Sequence, residues 1–372
     1  MSKRFALVIA LAASLASAVR PIAPDELSSY SFSRFVKDFK KRYSPQEMLE
    51  REKIFTVKLK EILVHNAANR GWTETVNEMT DYTPEEFHAR KGIKKSMLFK
   101  NHEERSGVKP KPMRTDLPDS IDWRDKGVVT SIKNQGHCGS CWTFGATEAL
   151  ESAVAIATGL LFTLSEQEFV SCVENPDECG GTGGCEGATM ELAYEYAVDH
   201  GLVSEWTTPY TSYNGVDGNC SLSILRPDRV AGITGYTITA QNSYSDLLEA
   251  VGTVGPVAIT VDASAWSSYA GGVFDGCDQA SPDLDHGVLL VGYGTDETTG
   301  QDYWLVRNSW GPTWGEAGYI RLARSDDEGG KCGTDTTPSD GVGCEGGPSE
   351  VTVCGTCGIL YDASYPTGAF MP

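Results

Sequence analysis

Apolar residues recur along the first part of the chain at helical spacing. Phe32, Phe35 and Phe39 fall three and four residues apart, and Glu47, Arg51, Phe55, Lys58, Ile62 and Asn66 follow at steps of three or four. Such steps set side chains on one helical face, so residues 25–66 are predicted helical. Residues 91–116 are rich in Lys and Pro with little periodicity and read as an exposed linker. From Leu117 the texture changes: Gly becomes frequent and every Cys lies beyond this point. Helices are predicted from Cys141 to about Ala157, over Ser165–Val170 with Ser165 and Glu168 as a capping box, and over Glu186–His200. Beyond Arg229 the pattern turns strand-like at Val257–Val261, Gly287–Tyr293, Tyr303–Arg307 and Tyr319–Leu322. Residues 325–356, Gly/Asp/Thr-rich with three Cys, read as a cross-linked surface loop. No internal repeat is visible.

The extreme N-terminus carries a different pattern. Lys3 and Arg4 precede the apolar run Phe5–Leu15, and Ala16-Ser17-Ala18 follows as a small-residue cleavage site. Residues 1–18 therefore read as a secretory signal, too short to span a membrane stably. The expected setting is the secretory pathway, ending in a lysosome- or vacuole-like compartment or outside the cell, where disulfides persist. No membrane span is expected in the mature form.

The 372 residues hold 31 Lys+Arg against 51 Asp+Glu, a net charge of −20. A strongly acidic chain lacks the basic face that nucleic acid requires, so no nucleic-acid partner is expected. The charge is also unevenly placed. Residues 19–116 carry 20 basic and 15 acidic side chains, whereas 117–372 carry 9 and 36. A basic front segment held partly by charge over an acidic body is the expectation.

Eleven Cys in an exported chain imply five bridges and one free thiol. Cys141 is the candidate thiol, because it opens an apolar-periodic helix where unpaired N–H groups and the helix dipole stabilise a thiolate. A nucleophile needs a base. The body offers His137, His200 and His286. His137 lies on the approach to the same helix, and His200 ends a helix before Gly201. Elimination favours His286, which directly precedes the apolar strand and can face a helix end across a cleft. Asn308, at the end of another strand, can accept from the imidazole and orient it, under cover of Trp310. Gln135 can donate its amide, with the Cys141 backbone N–H, to a developing oxyanion. Cys138-x-x-Cys141 lacks the βαβ setting of a redox motif, and Cys354-x-x-Cys357 lacks partner spacing for a zinc site.

At this density the chain resembles a papain-like cysteine peptidase of the cathepsin L-like group, made as a preproenzyme. The resemblance rests on QGHCGSCWTF (135–144), LSEQE (164–168), GCEGATMELA (184–193), LDHGVLLVGYG (284–294), YWLVRNSWGPTWGEAGYIRL (303–322) and CGILYDASYPTG (357–368). The face from Glu47 to Asn66 is similar to the family's propeptide motif, with Lys58 where Asn is usual. Asn77 and Asp81 resemble a second propeptide motif, with Thr75 and Met79 departing from it.

The resemblance implies an α+β, papain-like two-lobed fold with a helical left domain and a β-barrel-like right domain, preceded by a helical inhibitory propeptide. The implied organisation is a signal peptide 1–18, a propeptide 19–116 and a peptidase domain 117–372. Its helical lobe covers about 125–225, its β-rich lobe about 226–356, and a C-terminal strand returns. The implied activity is a thiol-dependent endopeptidase acting on peptides and proteins through a Cys141 thioester. Cys141 is the implied nucleophile, His286 its base and acid, Asn308 the orienter and Gln135 the oxyanion donor, with no metal or cofactor. A resting thiolate–imidazolium pair is implied, with acid activation by loss of the propeptide, which acts as an intramolecular inhibitor. A monomer is expected.

Implied substrate-binding positions are Gly184, Thr189, Met190, Thr260, Leu284, Asp285, Trp310 and Asp362. Asp362 stands where a small residue is common and could favour Arg or Lys two residues before the cut. No long His-bearing insertion lies between Cys185 and Cys220, which favours endopeptidase over dipeptidase action. The implied bridges are Cys138–Cys185, Cys172–Cys220 and Cys277–Cys357. Cys179, Cys332, Cys344 and Cys354 remain open to three pairings. The competing reading, an inactive papain-fold scaffold or binding protein, is disfavoured because all four catalytic positions are intact.

Overall fold

The computed structural model describes residues 22–91, 114–220, 228–325 and 330–372. The signal segment 1–18 and most of the linker at 91–116 lie outside them. The front helical stretch breaks into three pieces: a 3-10 turn Pro24–Ser29, α1 (Phe32–Asp38) and α2 (Pro45–Ala67). Lys40 takes φ 53° between α1 and α2, and Ser44 caps α2 by accepting from the Glu47 amide ahead of Pro45 at the first turn. The predicted face of α2 points inward at Phe55 and Ile62, where Phe32 and Phe35 complete a small aromatic core. Farther along that face, Asn66 exchanges 2.8 Å bonds in both directions with the backbone of Glu74. Arg51 reaches Glu86, and the Asp81 carbonyl at 2.9 Å. Lys58 is spent on a local pair with Glu61.

The body holds β2 (Ile121–Asp122), α4 (Cys141–Thr158), α5 (Glu166–Cys172), α6 (Met190–His200), β3 (Gly235–Ile238), α7 (Tyr244–Thr253), β4 (Val257–Val261), β5 (Tyr269–Phe274), β6 (His286–Thr295), β7 (Asp302–Arg307) and β8 (Tyr319–Ala323). The hairpin β9 (Cys332–Asp335) and β10 (Val351–Cys354) follows, then β11 (Asp362–Thr367). The last strand, β11, lies between β4 and β3. Two cores meet along β6 and β7. Leu289, Val291 and Leu305 face the helical half with Trp142, Leu150 and Phe169. Val288, Leu290, Trp304 and Val306 face the other half with Ile259, Trp266 and Ile320. The period of two in a strand divides one sequence between two cores, and the seam is where the candidate residues gather.

Three local expectations are corrected. At α5, Ser165 accepts from the Glu168 amide, but the Glu168 carboxylate bonds the Val203 amide and the Tyr196 hydroxyl instead of closing a capping box. The third helix begins at Met190, not Glu186, because Gly183 and Gly187 take φ of 96° and 92° around a 3-10 turn. Residues 325–356 are more than a surface loop: β9 and β10 pair antiparallel, and Val342 and Val353 are buried with Leu284 and Tyr361.

The front segment joins the body as a strand. β1 (Trp72–Glu74) pairs antiparallel with β5 at the sheet edge, the mode by which an extended segment satisfies an open edge. Gly272 permits the approach: with φ 94°, a Cβ there would meet the Gly71 carbonyl at 2.5 Å. Trp72 then packs on Phe274 with ring centroids 4.5 Å apart and donates to Asp275 at 3.1 Å. The helix α3 (Pro84–Arg90), closed by a true capping box from Thr83 and Glu86, follows toward the seam. Trp72→Ala removes a buried anchor worth ~3 kcal/mol. Conversion of the full-length protein to its shorter form should speed up at least about tenfold, with kcat/KM of the shorter form unchanged; timed gels and peptide hydrolysis check this.

Candidate active site

Cys141 is the first residue of α4 and the one free cysteine. The other ten are bridged. Cys138 joins Cys185, Cys172 joins Cys220, Cys277 joins Cys357, Cys179 joins Cys344 and Cys332 joins Cys354. Neither C-x-x-C string forms a bridge within itself. Cys138–Cys185 fastens the loop before α4 to the 3-10 turn Gly184–Glu186, fixing the approach to the thiol.

His286 opens β6, and Asn308 follows the end of β7. Antiparallel pairing of these strands brings His286 Nε2 to 2.8 Å from Asn308 Oδ1. An amide oxygen only accepts, so Nε2 carries the proton and donates. The neutral ring therefore keeps a bare Nδ1, which is buried without a hydrogen-bond partner. Trp310 stacks on the imidazole at 4.8 Å and Trp266 meets it edge-on at 6.2 Å. The Gly287 amide, next to His286, points at the Cys141 sulfur and favours its ionised form.

Gln135 is fully buried beside them. Its Oε1 accepts from Ser309 Oγ at 2.6 Å, and its Nε2 donates to the Cys138 carbonyl at 2.9 Å. Ser309, between Asn308 and Trp310, is a positioning residue that the sequence reading passed over. Tyr210 is another: its hydroxyl donates to the Gln135 carbonyl and meets Ser140 Oγ, each at 2.8 Å. Nothing in the pattern around Tyr210 marks that role.

The front segment fills the space above this cluster. The Arg90 carbonyl accepts from Gln135 Nε2 at 2.7 Å, and the Lys91 carbonyl accepts from Cys141 Sγ at 3.2 Å. Phe87 meets Trp310 edge-on at 5.5 Å. Arg90 donates to the Gly136 carbonyl at 2.8 Å and to Asn134 at 2.9 Å. Lys91 Nζ pairs with Asp285 and reaches Ser264 Oγ at 3.1 Å. A peptide of the chain itself thus lies over the thiol with its carbonyls on the groups that would receive a substrate's.

This cover alters the electrostatics. Burial pushes the Cys141 thiol up to about 12, opposed by amide hydrogen bonds from Gly287 and Trp142. Burial pulls His286 down to about 3, opposed by its bond to Asn308. The closed form therefore favours a neutral thiol and neutral imidazole, not the ion pair that the resemblance implied, because both charges would be stripped of water.

The remaining predicted positions divide into those the structure brings together and those it sets apart. Thr260 Oγ1 donates to Asp362 Oδ2 at 2.6 Å across the β4–β11 pairing, and both residues are buried. Met190 Sδ lies against Gly287, Thr189 immediately precedes α6 without a side-chain capping bond, and Leu284 and Asp285 are fully buried beside His286. Gly184 is engaged elsewhere: its carbonyl accepts from Trp142 Nε1 at 3.1 Å, and it packs on Asp217. His137 stacks on Tyr82, and His200 lies tilted against Tyr196.

Beneath the site, a buried charge cluster links α4 to the strand ends. Arg307, next to Asn308, pairs with Glu148 at 3.0 Å and donates to the carbonyls of Thr130 and Ser131. Lys133 pairs with Glu151 and Glu166.

Comparison with known proteins accounts for this arrangement. The papain family cysteine protease model matches residues 117–342, and the cathepsin propeptide inhibitor domain model matches 32–87. Human cathepsin L2 is 40% identical over 308 residues, covering 80% of this chain and 87% of its own. A cathepsin L-like peptidase of Aedes aegypti is 37% identical over 347 residues, covering 89% and 98%. The digestive procathepsin L 3 of Tenebrio molitor larval midgut superposes with TM-score 0.70 at 34% identity, over 90% of this chain and 97% of that one. The chain belongs to the papain family of cysteine proteases, as a cathepsin L-like enzyme that carries its own inhibitory propeptide.

Proposed function

We propose that Cys141 attacks the carbonyl of a bound peptide bond once the propeptide has left, with His286 Nδ1 receiving the thiol proton. The observation that supports this is a free helix-end thiol donating to the Lys91 carbonyl beside a Gln135 amide that donates to the Arg90 carbonyl, with His286 keeping a bare Nδ1. Attack gives a tetrahedral oxyanion held by Gln135 Nε2 and the Cys141 amide. Collapse expels the amine, protonated by His286, and leaves a thioester. Water activated by the same ring then releases the acid. Asn308 holds the ring in the tautomer that leaves Nδ1 free. Once the cleft opens, water returns, and the two opposite charges stabilise each other at the mouth of α4.

The supported reading is an endopeptidase that enters the secretory pathway through its N-terminal signal and works in an acidic or extracellular setting as a monomer. Asp362 stands at the floor of the pocket that receives the side chain two residues before the cut. Its carboxylate is inside the fold, not turned to solvent, which supports a preference for Arg or Lys there.

Acid release is carried by particular carboxylates. Hydrogen bonds from Arg51 hold Glu86 below the usual carboxylate range, against burial. Such a group stabilises the closed form above its ordinary pKa, and that stability is lost as pH falls toward its lowered value. Asp285 has the opposite sign. Burial raises it to about 7, against the pull of Lys91, so between the ordinary carboxylate value and about 7 the closed form binds the extra proton and acid favours it at this group. Arg51 and Glu86 both belong to the propeptide, so loss of their link in acid loosens the propeptide's own fold, on which its hold over the cleft depends.

Four outcomes are expected. Cys141→Ala abolishes hydrolysis and labelling by the epoxide E-64, while Asn308→Ala lowers kcat/KM by at least about 10²-fold with labelling retained at a reduced rate. Glu86→Gln lets the propeptide leave at near-neutral pH and flattens the acid dependence of conversion, read from conversion rates between pH 3.5 and 7. Asp362→Ala shifts the ratio of cleavage after Arg- over Leu-bearing dipeptidyl substrates toward Leu by roughly tenfold, about one surface-to-buried charge pair. An unchanged ratio refutes the pocket assignment.

A further inference from the structure

Two of the five bridges belong to one device. Cys332–Cys354 closes the foot of the hairpin β9–β10, and Cys179–Cys344 ties the tip of the same insertion to the loop between α5 and α6. The sequence separation of 165 residues in the second bridge reflects a link from the strand-rich half to the helical half. Backbone bonds reinforce it. The Gly180 amide donates to the Gly343 carbonyl at 2.7 Å, and the Glu345 amide donates to the Asp177 carbonyl at 2.8 Å. At the other root, the Leu284 amide donates to Asp335 at 3.2 Å, and Val342 is buried against Leu284, Val353 and Tyr361.

The crossing point lies on the cleft. On one wall Leu284 immediately precedes Asp285, which holds Lys91 of the propeptide over the thiol. On the other wall Ala188 lies two residues before Met190, whose sulfur sits against Gly287. Gly341 touches the first wall so closely that a Cβ would stand 1.4 Å from the Leu284 carbonyl oxygen. A Cβ on Gly180 would meet the Gly341 carbonyl at 2.7 Å and Ala188 at 3.0 Å. Residues 341–343 therefore run from wall to wall. Leu284, Thr189 and Met190 beside them are among the implied substrate-binding positions, whereas Phe87 of α3 meets Trp310.

We infer that this disulfide-tethered insertion is a specificity device: it closes the cleft on the side that receives residues N-terminal to the cut. An extended chain advances about 3.3 Å per residue. Leu284, which the strap touches, is the residue next to Asp285, which holds Lys91, so about two extended substrate residues fit before the strap is reached. The enzyme then reads two residues ahead of the scissile bond and gains nothing from a third or fourth. Cleavage near a chain's N-terminus, or in loops that can turn away from the strap, is favoured over threading of a long extended segment. This rests on the peptidase reading and narrows its substrates.

The test uses the acid-converted enzyme and N-blocked peptidyl-coumarins with two, three and four residues before the cut, identical in the two nearest residues. In the wild type, kcat/KM should stay within about threefold or fall as residues are added. In Cys179→Ser/Cys344→Ser, and in a second variant carrying Cys179→Ser with residues 336–349 replaced by Gly-Ser-Gly, the longer substrates should gain at least tenfold over the dipeptide. A tenfold rise with length in the wild type itself overturns the inference, and this series decides the matter even where both variants fail to fold. Equal length profiles in wild type and folded variants overturn it too. Absence of turnover at every length together with absence of E-64 labelling overturns the peptidase reading, and this inference with it.

Discussion

The bond from His286 Nε2 to Asn308 Oδ1 decides what the rest of the site can do. It fixes the proton on one ring nitrogen and leaves the other bare, as the proposed base must be. That bond exists because two neighbouring antiparallel strands place their ends side by side, and because Trp310 lies over the ring and keeps water from competing for the amide. Arg307 secures the same strand end from below by gripping Glu148 and the 130–131 backbone. The fully buried pair is thus anchored to the core beneath it, which favours electrostatic stabilisation without reorganisation.

The propeptide silences the site by completing it. Its carbonyls occupy the donors that a substrate would use, and its bulk removes water. Removal of water raises the thiol and lowers the imidazole, so the covered pair holds no charges to attack with. In the proposed mechanism the nucleophile is generated by hydration, when the cover departs. A zymogen built this way needs no distortion of its catalytic groups, because the dielectric alone separates the resting from the reactive state.

Much of this was legible in the sequence, for identifiable reasons. The thiol could be found because an odd cysteine opens an apolar helix, and His286 and Asn308 because each stands at the end of a continuous apolar strand. The aromatic face of α1 and α2 was readable from spacing alone. What escaped notice depends on contacts between distant parts of the chain. Ser309 and Tyr210 act on Gln135 through tertiary bonds that no local pattern encodes. The start of α6 moved because glycines at positive φ form a 3-10 turn where apolar spacing alone suggested helix. Lys133, Glu151 and Glu166 satisfy one another only once folded, so each reads in sequence as a surface charge. The insertion at 325–356 was opaque for the same reason: its composition suggests a loose loop, and only the partner of Cys344 reveals that it reaches the opposite lobe.

The two ends of the cleft are governed by different chemistry, and the difference has a physical logic. At the Trp310 end the occupant is held without a covalent link, by a three-residue strand, one buried indole and a propeptide fold that the Arg51–Glu86 pair helps secure. At the Leu284 end the strap is held by a covalent link that acid leaves untouched, reinforced by backbone bonds and a buried valine. A reversible cover suits the side that must open for turnover to begin. A permanent one suits the side whose task is to define how far a substrate extends. Placing both on one frame lets the same acidification that exposes the thiol leave the reading frame of the cleft unchanged, so activation and selectivity are set by separate interactions.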